Sequence, residues 1–346
     1  MAQKKSKSNT PYIVKHRKII LIIGGILAGI VILMGLLYAF VFTPVKDPSY
    51  GTSFSTKRAK EFDLNWQENY LALLQDLGIK RFRLMSHWDL HENERGVFDF
   101  SDLDWQMDQA AQHGAKVSLA IGLRQPRWPE CHEPGWAMLI EGHEYKQALY
   151  AYMEVVANRY KDHPALESWQ LENEAVNGWF GECHPGDRQR LDEEFALLKK
   201  WDTKHPVIMS LSDQHGLPLG TPVPDIYAFS VYRLVYNTMG PQFYYVFPTP
   251  IWYHRIRAAV ITLIHHKPIR IHELQMEPWG PLNTSELSIE EQNKSMSIEQ
   301  IGKSFMFARR LGLREIDLWG SEWWYWRKVH GDFSVWETIR DELKKR

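Results

Sequence analysis

Two short stretches place acids where apolar runs stop. "WQLENE", residues 169–174, ends on Glu172, Asn173 and Glu174, and "IRIHEL", residues 269–274, carries His272 and Glu273. Two carboxylates at the ends of separate strands, facing one cleft, are what cleavage of a glycosidic bond requires. One stays protonated to give its proton to the leaving oxygen. The other stays ionised to attack or stabilise the positive charge that develops on the sugar. Their surroundings must push the two pKa values apart. An arginine and a tyrosine beside the ionised partner do this by charge and by hydrogen bonding, and Arg83 and Tyr232 follow other apolar runs in positions suited to that role. Alternation turns Glu172 away from the neighbours of Glu174, so it is read as structural. Glu277 is a second carboxylate beyond strand seven, but Glu273 ends the apolar run and Glu277 falls on the loop.

Something must hold these groups together, and the chain reads as alternating strands and helices. "LLQDLGIKRFRLM", "AAQHGAKVSLAI" and "ARRLGLREIDLW" repeat one junction of helix, glycine and strand; glycine suits the left-handed cap that ends a helix. Prolines precede three further strands, in "DHPALESWQL", "KHPVIMSLS" and "HHKPIRIHEL". Asn65 with Glu68, Ser101 with Asp104 and Ser288 with Glu291 resemble capping boxes. Strands are expected near 51–54, 80–85, 115–121, 165–172, 206–211, 225–231, 269–273 and 314–318. Helices are expected near 65–77, 102–113, 143–161, 187–203, 253–265, 294–311 and 332–344, with the fifth connection too short for one. Eight such units argue for an α/β fold, a (β/α)8 TIM barrel.

In such barrels the site lies at the C-terminal ends of the strands. There the sequence sets Arg83, His87 and Trp88 (strand two), Arg124 and Trp128 (three), Asn173 and Glu174 (four), Tyr232 (six), His272 and Glu273 (seven), and Trp319, Glu322, Trp323 and Trp324 (eight). Charged and aromatic side chains thus gather at one rim. The aromatic-rich segment 240–253, "GPQFYYVFPTPIWY", could rest on a bilayer interface, line a cleft or pack over the barrel.

The pattern resembles the superfamily of retaining (β/α)8 glycoside hydrolases that includes cellulases, mannanases and β-galactosidases. "WQLENE" matches its Asn-Glu pair after strand four, and "IRIHEL" its glutamate ending strand seven. "RFRLMSHWDLHENERGVFDFSDLDWQMDQA", "LAIGLRQPRWP" and "IDLWGSEWWYW" resemble its strands two, three and eight; the likeness covers about residues 50–330. The resemblance implies Glu174 as acid/base and Glu273 as nucleophile. Asn173 would hold the sugar 2-hydroxyl, Arg83 and Tyr232 would position and ionise Glu273, and Trp319 would stack on a sugar face. Trp88, Arg124, Trp128, His272 and Trp323 complete the candidate binding set; Trp128, Trp136 and Trp179 are equally readable as loop packing. Strand six departs from the pattern, with Ser230 where a histidine is frequent.

The N-terminal part has another character. Residues 19–42, "IILIIGGILAGIVILMGLLYAFVF", hold no charge in 24 positions. As a helix they would reach roughly 36 Å, enough to cross a hydrocarbon core of about 30 Å. Lys4, Lys5, Lys7, Lys15, Arg17 and Lys18 precede them with no acid, which places the N-terminus in the cytoplasm and the chain beyond the helix outside. The expected organisation is a basic tail (1–18), a transmembrane signal-anchor helix (19–42), a linker (43–50) and a catalytic domain (51–346) at the cell membrane. Of 41 basic and 42 acidic residues, setting the six tail bases aside leaves 35 against 42, which argues against a nucleic-acid partner. No metal-ligand spacing or phosphate-binding glycine loop is evident, so no cofactor is expected. Cys131 and Cys183 both fall in predicted loops, as free thiols or as a disulfide. Partners are then an oligo- or polysaccharide and the bilayer, with the oligomeric state open. Transglycosylation, or a non-catalytic glycan-binding or envelope scaffold on the same barrel, are the alternatives to hydrolysis.

Overall fold

The computed structural model describes residues 23–36, 44–175, 177–178, 180–183, 187–212, 217–237 and 240–345. The chain divides into two units, Met1–Pro44 and Val45–Arg346. Of the apolar segment 19–42, residues 23–36 are described, as a helix with exposed side chains; residues 19–22 and 37–42 lie outside the described residues, as do 1–18. Among the described residues no helix is long and apolar enough to cross a membrane.

The second unit is the expected barrel. Its strands are β1 (Ser49–Ser53), β2 (Arg81–Met85), β3 (Lys116–Ile121), β4 (Leu166–Leu171), β5 (Val207–Leu211), β6 (Ile226–Val231), β9 (Ile269–Gln275) and β10 (Glu315–Trp319). All pair in parallel and close in the order β1-β10-β9-β6-β5-β4-β3-β2. Every residue of β2 and β5 is buried, which is why these strands lack strict polar alternation: helices cover one face and the barrel interior the other. Between β6 and β9 the chain adds an antiparallel hairpin of β7 (Leu234–Tyr236) and β8 (Tyr244–Val246), built in part from the aromatic-rich segment.

Around the barrel lie α1 (Thr56–Glu61), α2 (Trp66–Gln75), α3 (Trp88–His91), α4 (Ser101–Gln112), α5 (Gly142–Tyr160), α6 (Arg188–Trp201), α7 (Ile251–His265), α8 (Ile289–Ser295), α9 (Ile298–Leu311), α10 (Ser321–Val329) and α11 (Ser334–Lys344). Among the described residues no helix joins β5 to β6, as the short connection requires. Asn65 and Ser288 cap their helices by accepting from the backbone of Glu68 and Glu291. Ser101 is not a cap: Asp99 accepts from its backbone N–H instead. The single helix expected over 294–311 is broken at Met296–Ser297, because Ser297 caps a new start by accepting from Gln300 N. Gly312 ends α9 with φ 80°, a conformation open to glycine at little cost. The short helices α1, α3 and α10 follow strands directly and hold the loops of the site rim.

Candidate active site

Each site residue is aimed by its place at the C-terminal ends of the strands. Arg83 is fully buried in β2, and its guanidinium is spread over four acceptors. Nε donates to Gln170 Oε1 (2.6 Å), Nη1 to Glu273 Oε1 (2.7 Å) and the His272 carbonyl (3.1 Å), and Nη2 to Asn173 Oδ1 (2.8 Å). One cation therefore links strands β2, β4 and β9. Glu273 accepts a second strong bond, from the Tyr232 hydroxyl at 2.8 Å. Burial, then the neighbouring carboxylates, push the Tyr232 phenol well above its usual range, so it remains a donor.

Glu174 is held differently. Asn177 Nδ2 donates to its Oε2 at 2.8 Å and the Ser230 hydroxyl lies 2.6 Å from its Oε1. No arginine or lysine among the described residues donates to it. Burial raises its pKa, and the nearby Glu273 charge raises it further. The backbone around it is strained: φ is 53° at Glu172 and 46° at Glu174, a region that costs a non-glycine residue about 1–3 kcal/mol. Fixed contacts offset this. Glu174 N–H donates to Ser210 Oγ at 2.9 Å, and the Glu172 carboxylate accepts from the backbone N–H groups of Leu123 and Arg124. Glu172 thus has the structural place that its alternation indicates, completed by Arg190 at 3.1 Å.

Ser230 stands between the two acids. A register shift between β6 and β9 sets it directly beside Glu273, and its hydroxyl lies 3.3 Å from Glu273 Oε2 as well as 2.6 Å from Glu174 Oε1. Those two lengths, end to end, limit the nearest carboxylate oxygens to about 6 Å, near the range typical of paired glycosidase acids.

The sequence reading missed several neighbours. Glu130 is buried and accepts from Asn173 Nδ2 at 2.8 Å; burial drives its pKa well above the carboxylate range against the pull of Arg124. Asn173 Oδ1 receives Arg83, Gln170 and Ser210, so its amide has one orientation, with Nδ2 toward Glu130. The β3 loop that carries Glu130 is tied to the β4 loop by the Cys131–Cys183 disulfide. Only the position of these residues in loops after adjacent strands could have signalled them.

Other candidates lie elsewhere. Trp88 and Trp323 are fully buried in the core. Their indole N–H groups are spent on Glu92 (2.6 Å) and Gln292 (2.8 Å), so neither presents a face to a sugar. The His272 imidazole is buried against Asp317 at 3.5 Å, inside the barrel, and reaches the site through its carbonyl alone. Trp88 and Trp323 are turned inward by the short helices that carry them, and His272 by the one-residue alternation that separates it from Glu273. Arg124 donates to the carbonyls of Asn173 (2.8 Å) and Phe180 (2.6 Å) and so braces the β4 loop. Trp319 has the Arg127 guanidinium 3.9 Å over its ring. Arg127 also joins Glu277 (2.5 Å) and Glu322 (2.8 Å), and this pairing holds Glu277 ionised, below its usual range, in a separate cluster. Trp128 is 55 % exposed and edges onto Phe180, which continues to Trp279 and Tyr232 as an aromatic rim. Trp136 donates to the Glu92 carbonyl in the core, and Trp179 lies outside the described residues. Among the described residues no cluster of His, Cys, Asp or Glu is arranged to hold a metal ion.

A closed parallel barrel with two facing glutamates at its strand ends, one braced by arginine and tyrosine, resembles the arrangement of the (β/α)8 glycoside hydrolases. No family model matches the chain. It is similar to a β-galactosidase of an Arthrobacter species (29 % identical over 161 residues, 38 % of this chain and 20 % of that protein). It is also similar to the β-galactosidase Bga of Halorubrum lacusprofundi (26 % over 169 residues, 44 % and 22 %). The matches thus span about a fifth of those relatives' length. Among solved structures, the GH5_18 protein of Streptomyces cattleya in complex with GlcNAc shares the fold (TM-score 0.58, 14 % identity, 87 % of this chain and 82 % of that chain). So does xylanase 10B of Thermotoga maritima (TM-score 0.53, 14 % identity, 87 % and 97 %).

Proposed function

We propose that this chain is a membrane-anchored β-glycoside hydrolase that retains anomeric configuration and acts on an extracellular or cell-envelope glycan. The observation that carries the reading is the single Ser230 hydroxyl within hydrogen-bonding distance of both Glu174 and Glu273. Retention needs carboxyl groups about 5–5.5 Å apart, inversion about 6.5–9.5 Å, and a shared hydroxyl favours the shorter class. The electrostatic asymmetry supports the division of roles. Glu273, with Arg83 and Tyr232 donating to it, attacks the anomeric carbon as the carboxylate. Glu174, its proton favoured by burial, donates that proton to the departing oxygen as the bond breaks. It then takes a proton from the water that releases the sugar from Glu273. Asn173, fixed through its oxygen, offers its remaining N–H to the sugar 2-hydroxyl.

The anchoring part rests on the 24 uncharged residues 19–42 and the basic residues before them, which set the barrel on the extracytoplasmic side. The β-galactosidases among the relatives suggest the first substrate to try. Glu174→Ala and Glu273→Ala, assayed on aryl β-glycosides beginning with the galactoside, test the mechanism. Both variants are expected to lose at least about 10³-fold in kcat/KM. Undiminished turnover in either removes it.

A further inference from the structure

Helix α7 turns large apolar side chains to solvent. Its 15 residues include no acid and no lysine, and its two arginines and His254 are buried. Arg255 is buried and donates from Nε to the Arg310 carbonyl at 2.6 Å. Arg257 is buried with its guanidinium 4.8 Å over Phe229, and His254 is fully buried beside the same ring. Ala258 and Ile261 pack inward, while four large apolar side chains face solvent: Trp252 (52 % exposed), Ile256 (50 %), Leu263 (75 %) and Ile264 (59 %). The offsets from Trp252 of four, eleven and twelve residues put these on one helical stripe. Large apolar side chains grouped on one exposed face suit a non-aqueous neighbour.

The stripe is extended by the adjoining surface. Val246 of β8, Ile251 of α7 and Met306 of α9 share a groove of about 310 Å³, and Val246, Met306 and Phe243 are themselves exposed. The chain's path names the occupant. Val45, the first residue of the barrel unit, donates its N–H to the Arg309 carbonyl at the C-terminal end of α9. The next carbonyl along, that of Arg310, is the one that Arg255 of α7 holds. The uncharged segment ends at Phe42, three residues before Val45, a reach of at most about 11 Å. On the anchoring reading, the chain leaves the lipid within that reach of Val45, which is bonded to the α9 end.

We infer that the outer face of α7, with Phe243 and Val246 beside it, docks the barrel onto the lipid interface. Trp252 would sit at headgroup level, and Ile256, Leu263 and Ile264 in the acyl boundary. The inference rests on the anchoring reading given above. In this arrangement the anchor and α7 give two points of attachment and fix the barrel's orientation on the membrane, where the anchor alone would leave it to swing.

The test uses the full chain in nanodiscs of phosphatidylcholine and phosphatidylglycerol that contain a phospholipid with a diazirine near the glycerol. Labelled peptides are mapped by mass spectrometry, with α4, whose outer residues include Asp108 and Gln112, as the reference. The expected result is label in the 23–36 segment and at least about fivefold more label in α7 than in α4. In the full chain carrying Ile256→Glu and Leu263→Glu, α7 label is expected to fall to the α4 level, with anchor labelling and melting temperature kept. Label in the apolar segment with α7 at the α4 level overturns the docking and leaves the anchor. Absence of label in the apolar segment overturns both. Cross-linking of α7 to a second copy, with α7 free of lipid label, overturns it in favour of a dimer.

Discussion

Asn173 donates its Nδ2 to the buried carboxyl group of Glu130 at 2.8 Å, so the residue expected to read the sugar 2-hydroxyl is held by an acid from the neighbouring β3 loop. Glu130 makes no use of that acidity in the mechanism and acts through Asn173. In Glu130→Ala the Nδ2 group loses its partner inside the protein, a loss of about 1–3 kcal/mol, or roughly 5- to 150-fold in kcat/KM. The deficit should shrink on a 2-deoxy glycoside, where Asn173 has nothing to hold, and Glu130→Gln should recover part of the rate. An equal loss on both substrates would mean general damage to the loop.

Ser230 takes the strand-six place where a histidine is frequent in the superfamily that this chain resembles, and its hydroxyl bond to Glu174 favours the ionised acid. Ser230→Ala removes that support, so the Glu174 pKa rises further. Glu174 must be protonated when the leaving oxygen departs, so the alkaline limb of the kcat/KM profile is expected to move to higher pH. A limb that stays in place or moves to lower pH would separate Ser230 from the acid.

Burial raises the Glu174 pKa above its ordinary 4.5, and this has a stability consequence of defined sign. The folded state keeps a proton that the unfolded chain releases once pH passes about 4.5, so stability falls between that value and the raised folded pKa. Glu174→Gln removes the titration. The inactive variant should melt higher than the parent at pH 8 and close to it at pH 4, by differential scanning fluorimetry. A lower melting temperature at pH 8 contradicts the electrostatic picture.

The Cys131–Cys183 bond closes 52 residues of chain across the β3 and β4 loops, worth about 4 kcal/mol by loop-closure entropy. Cys131→Ser with Cys183→Ser should lower the melting temperature by several degrees. Because Glu130 precedes Cys131, kcat/KM should fall too. A variant as stable and as active as the parent would leave the bond without a role.

The barrel was legible because its signals are local. Helix-ending glycines, strand-leading prolines and doubly buried runs put each of the eight strands within two residues of its place. Asn173, Glu174, Tyr232 and Glu273 stood out as candidates because each ends or closely follows such a run, and Arg83 because it is a cation inside one. What the sequence hid depends on facing and on contact across the barrel. Trp88 and Trp323 sit at the right chain positions, but their helices turn them into the core. Glu130, Ser230 and Gln170 gain meaning only when strands far apart in sequence are brought together. The exposed apolar stripe of α7 was hidden in the same way, since its composition does not reveal which side faces the barrel.

The central claim is that Glu273 carries the sugar covalently while Glu174 serves as its acid. Incubation of the full chain with activated 2-deoxy-2-fluoro-β-glycosides, galactoside first, followed by peptide mass spectrometry, tests it most directly, because the fluorine slows release of the glycosyl-enzyme. The account predicts one added sugar on the peptide containing Glu273, with inactivation, and no adduct in Glu273→Ala. Adduct on Glu277 or Glu174, or steady turnover in Glu273→Ala, would contradict it.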